Sequence, residues 1–360
     1  MKVVIAGGGT GGHLYPGIAI ARELLMEDGN VVLFVGTKQG IEARVLPKEG
    51  FPVRFIPVGK LKGMSLLSVI KTIVMLPLSL RQSFNLLHEV KPDIVLGIGG
   101  YASGPIGVAA FALKIPLIIV EPNSYAGLAN RQLAHLAKRV VLCFPGTGAQ
   151  KFFPAKKIVA LGPLTRKGID QGDRSNALRD FGLEPGKFTV FVMGGSGGAH
   201  AINIAMIHAA EYLQSIHNLQ ILHQTGEKDI AAVTAGYRDL GIKAAVCQYI
   251  DDMAGAYAAA DLVVARSGAT SVAELAVCGK RAVLIPFPFA ADNHQEYNAR
   301  TLADRGLAEV ILQKDLTAEV LGNIIKKYAK QGMDVADTPV MVNTSAAQIA
   351  RICKDYVQRN

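Results

Sequence analysis

Tryptophan is absent from this chain, aromatic residues together reach only 6%, and charged residues stop at 19%. No long run of lysine or arginine occurs, and nowhere do basic and aromatic residues interleave. Nucleic acid is therefore the weakest partner for the formal net charge of +9; an anionic membrane surface or a phosphorylated substrate fits it better. The four cysteines, Cys143, Cys247, Cys278 and Cys353, form no C-x-x-C pair. That removes a zinc knuckle and a disulfide frame and leaves buried thiols in a reducing compartment as the default. No signal-peptide pattern precedes the first strand, so a cytoplasmic protein is expected. H-E-x-x-H, a Walker lysine and D-x-D are missing too. No metal ligands are evident and no cofactor is expected; helix N-termini and an arginine would have to take the charge of a diphosphate.

Long uninterrupted hydrophobic runs are also lacking. The richest stretch, Leu66 to Leu87, carries Leu67, Ile70, Ile73, Val74, Leu76 and Leu80 but is interrupted by Lys71, Pro77, Arg81 and Gln82. Spanning a bilayer takes roughly 20 mostly apolar residues, so this segment is too broken to cross one. An apolar face flanked by Lys60, Lys62, Lys71 and Arg81 suits an anionic membrane surface. An ordinary core helix with snorkelling lysines fits the same pattern.

What is present is enough for two cores: 360 residues, half of them hydrophobic. Apolar strand-like runs alternate with helical patterns almost throughout. They fall at Val3–Ala6, Val31–Val35, Val53–Ile56, Ile94–Leu96, Leu117–Val120 and Arg139–Cys143. A second set falls at Thr189–Met193, Gln220–His223, Ala244–Gln248, Leu262–Ala265, Ala282–Ile285 and Ala308–Leu312. Continuous Val/Ile/Leu runs separated by helices predict parallel sheets buried on both faces. The fold class is α/β, with two Rossmann-like doubly wound domains facing a cleft. The halves echo each other, since Thr189–Met193 and Gly194-Gly195-Ser196-Gly197-Gly198 repeat the opening strand and glycine turn. The expected division is 1–162, 163–345 and a C-terminal helix, 346–360, packing back on the first domain.

The stretch that organises the rest is Gly7-Gly8-Gly9-Thr10-Gly11-Gly12-His13. Strand, glycine turn and helix in that order let a ligand approach the main chain and meet free N–H groups at the helix start. The turn also satisfies G-x-G-x-x-G, so a dinucleotide enzyme has to be weighed. Such an enzyme needs an acid at the end of the second strand for the ribose. Phe34-Val35-Gly36-Thr37-Lys38 offers none, and Lys38 would suit only a phosphorylated ribose. In the second half, Ser267-Gly268 opens the run Ala269, Thr270, Ser271, Val272, Ala273, Glu274. That is a helix start for phosphate with a carboxylate for a ribose diol, or else a surface glutamate favouring the helix dipole. Asp292-Asn293-His294-Gln295 suits sugar hydroxyls or a helix cap. Asn123 can position a hydroxyl or cap a helix, and Arg166 can pair with a diphosphate or stay solvated.

Taken in order, Gly8–His13 with Pro16-Gly17, Gly99-Gly100-Tyr101 with Ser103-Gly104-Pro105, and Glu121-Pro122-Asn123 form one constellation. It continues through Gly194-Gly195-Ser196, Ile250-Asp251-Asp252-Met253, Ser267–Glu274 and Asp292 to Gln295. It resembles the MurG family of UDP-N-acetylglucosamine transferases, which complete the lipid-linked peptidoglycan precursor, and the resemblance spans nearly the whole chain. It implies a GT-B fold and an inverting transfer of GlcNAc from UDP-GlcNAc to the 4-hydroxyl of undecaprenyl-pyrophosphoryl-MurNAc-pentapeptide, lipid I. Under that resemblance Thr10, Gly11 and Gly12 approach the donor, and Asn123, Arg166 and Ser196 contact sugar or diphosphate. Ile250 packs at the uracil through its backbone, Ala269 to Glu274 hold phosphate and ribose, and Gln295 binds the GlcNAc hydroxyls. The apolar, basic patch becomes the docking surface on the cytoplasmic face of an anionic inner membrane. Here the family's Gly-Asn-Pro before its arginine is replaced by Gly162-Pro163-Leu164-Thr165, and its glutamine after the second-turn serine by Gly197. An unperturbed imidazole suits a general base near neutrality, which makes His13 the candidate; a histidine that only caps the turn is the alternative. Rival readings are another GT-B lipid glycosyltransferase, an NADP-linked reductase and a non-catalytic UDP-sugar-binding protein.

Overall fold

Among the described residues, thirteen strands form two wholly parallel sheets. The first holds β1 (Lys2–Gly7), β2 (Val31–Gly36), β3 (Val53–Phe55), β4 (Ile94–Gly99), β5 (Leu117–Glu121), β6 (Arg139–Leu142) and β7 (Ile158–Ala160). The second holds β8 (Phe188–Met193), β9 (Leu219–Gln224), β10 (Ala244–Cys247), β11 (Leu262–Ala265), β12 (Ala282–Leu284) and β13 (Ala308–Val310). These come from a computed structural model that describes residues 1–58, 66–332, 341–342 and 344–358, with the side chains of 66–74 outside the description. Residues up to Arg166 form one unit together with the C-terminal helix Ser345–Gln358; Lys167–Val342 form the other.

The order in the first sheet is β3-β2-β1-β4-β5-β6-β7 and in the second β10-β9-β8-β11-β12-β13. Both therefore reverse direction beside a central strand, at β1/β4 and at β8/β11. The loops that leave the C-terminal ends of such neighbours go to opposite faces and open a crevice between them. Each of those four loops carries one of the glycine or Ser-Gly turns of the sequence. The central strands are largely apolar because helices cover both faces: Val3–Ala6, Ile94–Leu96 and Val190–Val192 are fully or almost fully buried.

The C-terminal helix packs on the Gly11–Leu24 helix of the first unit, with Ile349 and Cys353 buried and Lys354 bonded to Glu27 at 3.1 Å. Cys143 and Cys353 are buried, but Cys247 and Cys278 are only half-buried, so the expectation of buried thiols holds for two of the four. Strand β7 was not anticipated. It is only three residues long, Ile158-Val159-Ala160, follows two lysines and is at most half-buried at the sheet edge, so its short apolar stretch does not stand out from the loop around it.

Candidate active site

In the first unit the two glycine turns touch. A Cβ on Gly100 would overlap the carbonyl oxygen of Gly8, and Gly100 has φ +82°, so only glycine allows the two loops to close on each other. Ser103 staples them. Its hydroxyl accepts from Gly99 N at 3.1 Å and lies within donating distance of the carbonyls of Ala6 (2.7 Å) and Gly99 (2.8 Å). His13 sits in the first turn of the Gly11–Leu24 helix, half-buried, with Nδ1 3.2 Å from the Thr10 hydroxyl. Its ring edge reaches Gly99, where an added Cβ would stand 2.9 Å from Cδ2 and 3.1 Å from Nε2.

The same Gly99 position lies 3.4 Å from Nδ2 of Asn130, which is fully buried. Asn130 donates to Glu121 Oε2 at 2.9 Å, and Asn123 donates to Glu121 Oε1 from both its backbone N (2.9 Å) and its amide (3.1 Å). Gly127 N completes the shell at 2.9 Å. Burial pushes the Glu121 carboxyl above its ordinary value, and these four donors pull it back down. Asn123 is thus buried and held by Glu121. The guanidinium of Arg166 stacks over the Tyr15 ring at 5.0 Å, and that ring lies against Gly11, so Arg166 belongs to the neighbourhood of the first glycine turn.

The second unit brings together the residues expected to meet the nucleotide. Ser196 is exposed on its turn. Gln224, buried at the end of β9, donates to Gly195 O at 3.0 Å and accepts from Ile250 N at 2.9 Å. Ile250 is buried and its N–H is occupied, which leaves the carbonyl as the backbone group it can offer a base. In the helix Ala269–Cys278, Ala269, Val272, Ala273 and Glu274 are buried, while Thr270 and Ser271 are half-buried. Glu274 is not a surface residue favouring a helix dipole: it is 2% exposed and accepts from the Tyr257 hydroxyl at 2.9 Å. Asn298 Nδ2 donates to Ser267 O at 3.2 Å, and the buried Ser267 hydroxyl finds no hydrogen-bond partner among the described residues. Asp252 caps the helix Met253–Ala259 through Gly255 N at 2.9 Å.

Arg266, not singled out in the sequence, donates to the carbonyls of Ile285 (3.1 Å) and Pro286 (3.2 Å) and to Gln313 (2.6 Å). Partial burial pulls its pKa down. It anchors the loop in which Phe287 N donates to Gln295 Oε1 at 2.9 Å. Asn293 occupies the N-cap position of the His294–Ala303 helix with φ +54°, but its side chain bonds Glu296 and caps nothing. Residues Gly194 to Gly198 also spell G-x-S-x-G, the order of a hydrolase elbow. That chemistry needs a base bonded to the serine. The buried histidine of this unit, His223, is instead committed to Tyr237 (2.8 Å) and Asn203 (3.1 Å).

Leu66–Val90 forms one helix that continues through Pro77. Leu76, Leu78 and Arg81 are exposed on it and Leu80 is half-buried; Leu67, Ile70, Lys71, Ile73 and Val74 have side chains outside the described set, and Lys60 and Lys62 lie outside it altogether. Among the described residues, no helix is long and apolar enough to cross a membrane, and no three His, Cys, Asp or Glu side chains cluster as metal ligands would.

The glycosyltransferase family 28 N-terminal domain matches residues 3–142 and the glycosyltransferase family 28 C-terminal domain matches 189–353. A Myxococcus xanthus UDP-N-acetylglucosamine–N-acetylmuramyl-(pentapeptide) pyrophosphoryl-undecaprenol N-acetylglucosamine transferase is 46% identical over 91% of this chain and 84% of its own length. The enzyme of the same name from Anaeromyxobacter dehalogenans is 42% identical over 100% of this chain and 94% of its own. The crystal structure of Acinetobacter baumannii MurG superposes with a TM-score of 0.76 at 30% identity, covering 98% of this chain and 99% of that one.

Proposed function

The chain belongs to glycosyltransferase family 28, and on that footing we infer that it transfers N-acetylglucosamine from UDP-GlcNAc to undecaprenyl-pyrophosphoryl-MurNAc-pentapeptide, making lipid II from lipid I in peptidoglycan synthesis. It is an inverting hexosyltransferase of the GT-B class. The 4-hydroxyl of the muramyl sugar attacks the anomeric carbon as UDP leaves, so an α-linked donor gives a β-1,4 product. One proton leaves the hydroxyl and one diphosphate charge develops on UDP.

The observation that carries the assignment of chemistry is His13 at the contact of the two glycine turns, ordered by Thr10 and bordered by Gly99. His13 takes the acceptor proton. Gly11 and Gly12 lie at the start of the Gly11–Leu24 helix, whose N–H groups favour phosphate. With Thr10 they approach the donor, and Arg166 and Asn123 contact its sugar or diphosphate. In the second unit the Ile250 carbonyl faces the uracil. Ser196, Thr270 and Ser271 meet the diphosphate, Ala269, Val272 and Ala273 form the helix wall beside it, Glu274 accepts from the ribose diol and Gln295 binds the GlcNAc hydroxyls. No metal enters this scheme; helix N-termini and Arg166 take the leaving charge.

The enzyme docks peripherally on the cytoplasmic face of the inner membrane through the Leu66–Val90 helix, a reading supported by exposed Leu76 and Leu78 beside exposed Arg81. The direct test measures UDP release from UDP-GlcNAc with and without a lipid-linked muramyl acceptor. Release that depends on the acceptor is expected. Binding of UDP-GlcNAc without release would favour a sugar-nucleotide sensor, and release with a diacylglycerol acceptor alone a different lipid glycosyltransferase.

A further inference from the structure

Glu42 is 1% exposed, yet among the described residues no lysine, arginine or histidine pairs with it. Its carboxylate is satisfied by the main chain. Oε2 accepts from Gly9 N at 2.7 Å, and Oε1 accepts from Thr37 N at 2.8 Å and from the Thr37 hydroxyl at 3.0 Å. Three separate glycines make room for it. A Cβ on Gly8 would stand 2.5 Å from its Cδ, and a Cβ on Gly36 or Gly40 would overlap its side chain as well. Glu42 opens the Glu42–Lys48 helix, where a glutamate ordinarily lies at the surface and favours the helix dipole. Here it turns inward, and the end of β2, the following loop and the first glycine turn close around it. A buried carboxyl group is costly unless its oxygens are hydrogen-bonded, so its three donors are held firmly.

The consequence falls on the loop assigned above to the reaction. Gly9 N–H points back at Glu42 and is withdrawn from any phosphate. Gly9 is followed at once by Thr10, whose hydroxyl meets His13 Nδ1. We propose that Glu42 is a positioning residue for the transfer: its carboxylate fixes the Gly8–Thr10 turn, and through it the Thr10–His13 pair, without touching substrate. This rests on the reading of His13 as base.

The test compares three variants of the full chain on UDP-GlcNAc and a lipid-linked muramyl acceptor, with UDP affinity measured by calorimetry. Glu42→Gln places an amide N–H against Gly9 N–H and should lower kcat at least about tenfold, the loss of a charged hydrogen bond plus a donor–donor clash. UDP affinity should fall far less, by about twofold at most, because the uracil and ribose contacts proposed above lie in the other unit. Thr37→Val keeps the carboxylate and removes one donor, so it serves if Glu42→Gln does not fold; its kcat should fall about fivefold with the same small effect on affinity. A folded Glu42→Gln enzyme with wild-type kcat would overturn the proposal, as would Thr37→Val with wild-type kcat, or equal losses of kcat and UDP affinity. His13→Ala separates the two claims. Lost turnover there with unaltered turnover in Glu42→Gln sinks only the positioning role; retained turnover there removes the base itself.

Discussion

The Thr10 hydroxyl and His13 Nδ1 stand 3.2 Å apart in a turn whose far side is Gly99, so the imidazole is held from one edge and bordered at the other. If this ring takes the acceptor proton, removing it should act on turnover and spare nucleotide binding. His13→Ala is expected to lower kcat by about 100-fold or more, in the range for loss of a general base, with UDP affinity unchanged. Gly99→Ala should act in the same direction: it forces a side chain onto His13 at a backbone φ of +99° that alanine avoids. Wild-type kcat in His13→Ala would assign the ring to capping the turn.

Glu274 and Tyr257 form a buried pair in the second unit. The carboxylate that the tyrosine holds is the group proposed for the ribose diol. Glu274→Ala should weaken UDP about tenfold or more, and Tyr257→Phe, which keeps the carboxylate but loosens it, about threefold. Calorimetry discriminates sharply here. Lower melting temperatures with unaltered UDP affinity in both variants would make the pair a core hydrogen bond and nothing else.

His223 gives a pH prediction that does not involve catalysis. It is buried between Tyr237 and Asn203, with Asp229 beyond Asn203, and burial drops its pKa from 6.5 to about 3 despite the pull of Asp229. The folded state therefore keeps the ring neutral while the unfolded chain protonates near 6.5. Its contribution to stability is fully present above pH 6.5 and drains away as pH falls toward 3, with a slope of up to about 1.4 kcal/mol per pH unit. Asp229, held below its ordinary value by its hydrogen bonds, adds a loss of the same sign at lower pH, whereas Glu121, raised by burial, opposes it. Denaturant titrations from pH 7 to 4 should show His223→Gln with a flatter decline than the parent. Parallel declines would mean that the ring protonates without cost in the fold.

The parallel sheets and the switch-point turns were legible in the sequence because strands buried on both faces cannot avoid long Val/Ile/Leu runs, and glycine is needed where Gly100 meets Gly8. The supports of those turns were not. Glu42 lies beyond the strand end where an acid was sought, and nothing in Gly40-Ile41-Glu42 says that its side chain folds back. Gln224 joins Gly195 to Ile250, segments far from it in sequence, and Arg266 reaches across to Ile285 and Gln313. A hydrogen-bonding side chain carries no periodicity, so its partner becomes visible only once the strands set it in place. The one signal available was position: each of the three lies at or within a few residues of a strand's C-terminal end, where these folds gather ligands.

Leu76 and Leu78 lie exposed on the Leu66–Val90 helix at 46% and 47%, on either side of Pro77 and within a turn or so of exposed Arg81. Two large aliphatic side chains held in water lose nothing by being replaced with serine if they have no partner. If they insert among acyl chains, each substitution forfeits roughly 1.5–3 kcal/mol of apolar transfer at full burial. The double variant Leu76→Ser, Leu78→Ser should therefore sediment less with vesicles containing phosphatidylglycerol, by about tenfold or more in partition, while its turnover on a soluble acceptor analogue stays at the parent level. Arg81→Gln should weaken the same partition by a smaller factor that vanishes at high salt, since it contributes through the surface potential alone. Should the leucine variant sediment like the parent, these two leucines have another role and the membrane contact has to be sought elsewhere on this unit.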